Sequence, residues 1–198
     1  MKIVVRIFVT LFSLVMLKAC FGLFYLKVAE LTPNELKWVY NKKDLERVMV
    51  STTGEHAKVF TYSHGIDNAQ NPLQFNWHGG SVDYKDAGAW YDFKIRSNRI
   101  DKEGFLHIIK YAANDSFRIQ SRIGNLYKNN LTLSDVKTVT VGNHEFKDCI
   151  IVDECNGNHT LYTNENDSNN VSKFIISKQY GPIYLRLQSG DEYFRQFK

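Results

Sequence analysis

Val139-Thr140-Val141-Gly142-Asn143-His144-Glu145-Phe146-Lys147-Asp148-Cys149-Ile150-Ile151-Val152 is the stretch on which the fold turns. β-Branched and aromatic residues, which suit a pleated and half-buried surface, flank Gly142-Asn143, a pair that tolerates the positive φ of a tight hairpin. The segment predicts antiparallel strands over 136–141 and 145–154. Asn156-Gly157-Asn158 and Ser189-Gly190-Asp191 repeat the turn chemistry further on. Strands are therefore expected at 158–163, 171–178, 182–188 and 192–197, making a meander from 136 to the end.

The same punctuation runs back to Leu45, with Gly, Asn and Asp interrupting apolar runs at the roughly 8- to 12-residue spacing of an antiparallel sandwich or barrel. Strands are predicted near 46–52, 57–64, 73–78, 89–96, 104–112 and 116–122. Ahead of them Thr32-Pro33-Asn34-Glu35 starts one short helix near residues 32–40, because Thr32 caps the first turn and Pro33 gives up no needed amide there. The fold class is thus mainly β, an antiparallel meander forming a curved sheet, a sandwich or a partly closed barrel. The polar stretch 164–170 has only about 28 residues after it, too few for a second core, and reads as a loop. Residues 30–198 are expected to form a single β-rich domain.

Residues 1–28 differ in kind. Lys2 and Arg6 precede the apolar run Ile7 to Leu17, which ends in Leu17-Lys18-Ala19-Cys20. A basic start and an apolar core too short to span a bilayer read as an export signal. Three outcomes stay open: lipid attachment at Cys20, an uncleaved anchor running on to Leu26 with Lys18 inside it, or ordinary cleavage. Each puts residues from about 30 onward outside the cytoplasm.

The formal net charge is +4, from 25 basic and 21 acidic residues. Lys2, Arg6, Lys18 and Lys27 account for all of it, which leaves a near-neutral β domain without the clustered cationic face that nucleic acid requires. Cys149 and Cys155 are separated by an apolar run that reads as continuing strand. An extended span of six residues is about 20 Å, well beyond disulfide reach, so two thiols are expected unless the chain turns back.

Chemical motifs are sparse. The histidines at 56, 64, 78, 107, 144 and 159 contain no i, i+4 pair of the helical zinc type, and His56 with His64, or His144 with His159, are the pairs a hairpin would bring together. Trp77-His78-Gly79-Gly80-Ser81 lacks the glycine-flanked serine of a nucleophile elbow and reads as a turn. The 164–170 loop lacks the glycine and terminal glutamate of a calcium-binding hand. Asn-x-Ser/Thr triplets begin at Asn114, Asn130, Asn158, Asn166 and Asn170; they mark glycan-bearing loops in a eukaryotic secretory protein and chance in an asparagine-rich bacterial one. No catalytic residue, metal ligand or cofactor is expected.

The tetrapeptide ending in Cys20 resembles the bacterial lipobox, with Leu17 and Ala19 of the usual types and Lys18 departing from them. Leu31-Thr32-Pro33-Asn34-Glu35-Leu36-Lys37-Trp38-Val39-Tyr40, the hairpin 139–152, and Phe174 to Tyr184 with Ser189 to Arg195 are similar to small uncharacterised envelope lipoproteins of the Bacteroidetes. That resemblance implies a β fold and membrane attachment in the cell envelope, at the outer membrane or facing the periplasm, and carries over no catalytic residue. The expected role is non-enzymatic binding of a protein or small ligand, with Tyr84, Trp90, Tyr91 and Tyr193 as candidate contacts. The alternatives are a structural or assembly component of an envelope complex and a small hydrolase-type enzyme.

Overall fold

The computed structural model describes residues 7, 9–13, 27–39, 47–68, 84–153 and 168–197. Cys20, Trp77 to Ser81, Cys155 and the expected strands 73–78 and 158–163 lie outside them. In chain order the elements begin with β1 (Lys27–Val28), α1 (Pro33–Leu36), β2 (Arg47–Ser51), β3 (His56–Asp67), β4 (Tyr84–Lys85), β5 (Ala87–Arg96) and β6 (Asp101–Lys110). They continue with β7 (Phe117–Ile123), β8 (Leu126–Leu131), β9 (Lys137–Val141), β10 (His144–Val152), β11 (Val171–Ser177), β12 (Gly181–Leu187) and β13 (Glu192–Arg195). The protein is mainly β, with eleven antiparallel strands in one curled half-barrel sheet.

By contacts the chain divides into two compact units. The smaller joins Met1–Glu30, Asn68–Ala87 and Lys110–Ser116, and the larger holds Leu31–Asp67, Gly88–Ile109 and Phe117–Lys198. In the smaller unit β1 pairs in parallel with β4, Lys27 forms an ion pair with Asp115 at 3.0 Å, and Asp86 accepts the Ala112 N–H at 2.8 Å. Residues 7 and 9–13 of this unit are helical.

In the larger unit the strand order is β8-β7-β6-β5-β3-β2-β13-β12-β11-β10-β9. Two meanders, β2 to β8 and β9 to β13, are joined where β2 pairs with β13, Tyr193 facing Ser51 and Arg195 facing Met49. Strands β8 and β9 are consecutive in sequence yet occupy opposite edges. Laid flat, ten inter-strand gaps of about 4.8 Å would hold those edges about 48 Å apart, while the six steps from Leu131 to Lys137 reach about 20 Å. The sheet must curl. Thr132 and Asp135 lock the short connection as a reciprocal cap around a 3₁₀ turn at Leu133–Asp135.

The first edge meets the far side through side chains. Asn125 both accepts from the Val171 N–H at 2.7 Å and donates to the Val171 carbonyl at 3.0 Å, so its amide behaves as a strand neighbour of β11. Lys128 on β8 reaches Asp153 at 3.3 Å, just past the end of β10.

Curling makes the inner face a core. Alternation along β5 sends Ala87, Ala89, Tyr91, Phe93 and Ile95 inward. Phe93 stacks on Tyr91 at 5.2 Å and, across the interior, on Phe174 of β11 at 5.8 Å. Room for the Phe93 ring comes from Gly104 on β6, where an added Cβ would lie 2.6 Å from that ring and 2.6 Å from the Arg122 carbonyl oxygen. On β9 to β12, Val141, Phe146, Cys149, Ile175 and Ile183 form a separate buried cluster with Tyr180 and Phe197 against it.

The short helix near 32–40 is α1 with its capping box, Thr32 and Glu35 satisfying each other's backbone amides at 2.6 and 3.2 Å. The hairpin at Gly142-Asn143 is present, with His144 opposite Val141 and Gly142 at φ 59°. Cys149 is a buried thiol whose sulfur points to the carbonyls of Phe146 and Lys147.

Gly104→Ala is expected to lower unfolding free energy by about 1 to 3 kcal/mol, the usual cost of overpacking against neighbours that cannot withdraw, because one of the two clashing partners is backbone. Chemical denaturation of both proteins checks it; unchanged stability would mean that Phe93 repacks freely.

Candidate binding site

The inner face carries an unusual polar patch at the junction of the two meanders. Arg47, Met49 and Ser51 are the inward residues of β2, and cross-strand pairing puts Arg195 beside Met49 on the neighbouring β13. Arg47 is only 3% exposed. Its Nη1 donates to the Tyr91 hydroxyl at 2.8 Å, and the guanidinium lies 5.7 Å from the Tyr91 ring centre. Arg195 Nη1 donates to the Tyr180 carbonyl, with the guanidinium 5.7 Å from the Tyr180 ring centre and 5.4 Å from that of Phe197.

Those contacts leave donors over. Arg47 Nε and Nη2 and Arg195 Nε are buried without a hydrogen-bond partner among the described residues. Burial pushes the Arg47 guanidinium below its ordinary value, against the opposing influence of Tyr91. Arg195 is lowered to about 10, first by burial and then by the charge of Arg47. Two cations facing the same interior are in a place where charge is costly unless paired.

A second polar group closes the neighbouring end. Tyr193 donates to Glu55 Oε2 at 2.8 Å, and the Arg99 N–H donates to Glu55 Oε1 at 3.1 Å. Burial pushes the Glu55 carboxyl up, but hydrogen bonds from Ser97, Tyr193 and Arg99 outweigh it and hold the group below its usual range. Tyr193 is pushed up to about 12 by burial and by the carboxylate it faces.

On the surface, a cleft of about 310 Å³ is lined by Asn34, Lys37, Lys147, Asp148, Lys178 and Gln179. A register shift between Phe146 and Cys149 lifts Lys147 and Asp148 out of the β9 ladder, with Asp148 at φ 52°. Lys178 donates to Asn34 at 3.1 Å and stands 5.7 Å from the Trp38 ring centre. The cleft is cationic and open.

The four expected contact residues separate. Tyr84 is 47% exposed, in the smaller unit. Trp90 is half-buried on the outer face, its indole N–H donating to Ser63 at 3.3 Å and its ring filling the space above Gly65. Tyr91 and Tyr193 are corrected as surface contacts: both are buried, Tyr91 because it shares the inward phase of Phe93 and Ile95, and Tyr193 because its ring enters the core while its hydroxyl reaches Glu55. Among the described residues of the larger unit, the large exposed aromatics are instead Phe60 and Tyr62 on β3.

The described histidines do not gather. His107 meets Asp92 at 2.9 Å and stacks on Phe105 at 4.3 Å on the outer face. His56 and His64 lie eight positions apart on β3, and His144 joins the Phe146 and Phe197 rings. No group of three potential metal ligands occurs among the described residues.

Arg47 and Arg195 escaped the sequence reading. In Arg47-Val48-Met49-Val50-Ser51 the two valines occupy one phase and the polar ends the other, so simple alternation points Arg47 outward. The only available signal was Met49 in phase with it. No family model, curated protein or solved structure matches the chain.

Tyr193→Phe is expected to cost about 1 kcal/mol near neutral pH, the net worth of one such hydrogen bond. A carboxyl with a lowered native pKa stabilises above its ordinary value of 4.5, and that contribution disappears as pH falls through the native value. The gap between wild type and variant should therefore narrow in acid. Urea unfolding at pH 7 and pH 3.5 checks this; a gap that widens in acid would contradict it.

Proposed function

We propose that this chain is an envelope protein held to a membrane at its N-terminus, with lipid on Cys20, and that its β domain binds a ligand or partner without chemical turnover. The observation that carries membrane insertion of the precursor, the step that precedes processing at Cys20, is the helical stretch at residues 7 and 9–13, where Ile7, Val9, Leu11 and Phe12 are 55, 58, 56 and 55% exposed. Apolar side chains left in water cost about 25 cal/mol per Å², a cost that lipid removes. Among the described residues no helix is long and apolar enough to cross a membrane. The basic start at Lys2 and Arg6, the lipobox-like end at Cys20 and the resemblance to Bacteroidetes envelope lipoproteins support the same attachment. The binding role is supported by the interior of the sheet, where guanidinium donors are left for a guest.

Cys20→Ala should leave the precursor unprocessed and abolish palmitate labelling, while the unaltered protein partitions into detergent. Processing unchanged by the substitution, or an unaltered protein that stays in the aqueous phase, would remove the lipoprotein reading.

A further inference from the structure

The buried Arg47 has a geometry that selects among guests. An arginine guanidinium offers two bidentate edges, Nε with Nη2 and Nη1 with Nη2, and the Nη1 of Arg47 is engaged by the Tyr91 hydroxyl. The two donors left over, Nε and Nη2, lie side by side on one edge, with parallel N–H bonds that match the two oxygens of a carboxylate. Two isolated leftover donors would suit two waters; one complete fork suits a bidentate anion. Arg195 brings a second positive charge into the same region, with its own Nε unpartnered among the described residues.

We propose that the interior of the curled sheet receives an organic carboxylate, bound side-on by the Nε and Nη2 donors of Arg47 and offsetting one of the two positive charges of Arg47 and Arg195. This names the ligand class of the binding role above and rests on that reading. A cationic guest would add a third like charge, and a neutral one would leave both guanidiniums without a counterion. The guest has an apolar body, because the residues bordering the fork are Met49 on the same strand, Val59 opposite, and the Tyr91 ring.

The test uses the full-length protein in detergent. Thermal unfolding is followed with benzoate as probe, benzyl alcohol as its neutral counterpart, and chloride at equal ionic strength. Benzoate alone should raise the unfolding temperature in a concentration-dependent way, as a ligand of the native state does. Arg47→Lys keeps a charge but loses the fork and should weaken the benzoate response about tenfold to a hundredfold, the value of one charge-assisted hydrogen bond. Arg47→Met guards against misfolding: replacing a buried charge by an apolar residue of similar length is often neutral or stabilising, so a stable variant with no benzoate response supports the site. Lys147→Ala with Lys178→Ala, in the surface cleft, should leave the response intact. Equal shifts with chloride, an undiminished response in Arg47→Lys, or loss of response only in the cleft variant would overturn the proposal.

Mass spectrometry of small molecules released by denaturing the purified protein separates the two levels of inference. A released carboxylate supports both. A released neutral compound keeps the binding role and overturns the carboxylate, while no released compound together with no benzoate shift overturns both.

Discussion

The five residues Thr132 to Val136 impose the constraint on which the larger unit depends. They carry the chain from one edge of an eleven-stranded sheet to the other, a distance they can cover only if the sheet is bent until its edges approach. Local chemistry holds this link short: Thr132 and Asp135 cap each other, and the Thr132 N–H and hydroxyl hold the Asp135 carboxyl below its usual range despite some desolvation. A longer, looser connection would permit a flat sheet with its apolar face exposed. The tight one gives the sheet an inside.

Having an inside fixes what happens where the two meanders meet. Strand β2 opens the first and β13 closes the second, so their pairing depends on residues more than 140 positions apart, Ser51 with Tyr193 being one such pair. That seam lies mid-sheet, at positions six and seven of the order, and its inward residues point into the most enclosed part of the curl. Arg47 is buried and Arg195 half-buried for this reason. In the outward phase the same arginines would reach water, as Arg96 does at the end of β5 with its side chain 56% exposed.

Much of this architecture was readable beforehand, and the failures have physical causes. The expected strands that fall on described residues coincide with β2, β3, β5, β6, β7 and β9 to β13 to within a few residues, because β-branched and aromatic runs bounded by glycine or asparagine signal strands reliably. Strand β8 was missed. Its Tyr127-Lys128-Asn129-Asn130 core is polar, Asn130 sits at φ 55°, and the ladder to β7 shifts between Ile119 and Ser121, so nothing local favours a strand; pairing with β7 creates it. The connectivity was also hidden, since no local pattern reveals that the first long strand pairs with the last. The candidate site lies on that seam. Tyr91, named among the candidate contacts, shares the phase of Phe93 and Ile95 that belongs to the core, whereas Arg47 stands in the phase that Val48 and Val50 make look like the outside.

The buried arginine fork is better understood by what an alternative residue would do. A methionine at position 47 would pack against Val59 and the Tyr91 ring with no unmet donors and no like charge facing Arg195. Buried charges in general are matched or bettered in stability by apolar residues of similar volume, so folding alone does not account for a guanidinium at this point. Local rules of packing and polar satisfaction tend to be broken where a site performs a function. Here the breach is specific: Tyr91 takes one nitrogen of Arg47 and holds the side chain in place, leaving Nε and Nη2 as one complete bidentate edge without a partner among the described residues. Tyr91 therefore does more than fill the core, since without its hydroxyl the guanidinium would be free to rotate and the fork would have no fixed direction.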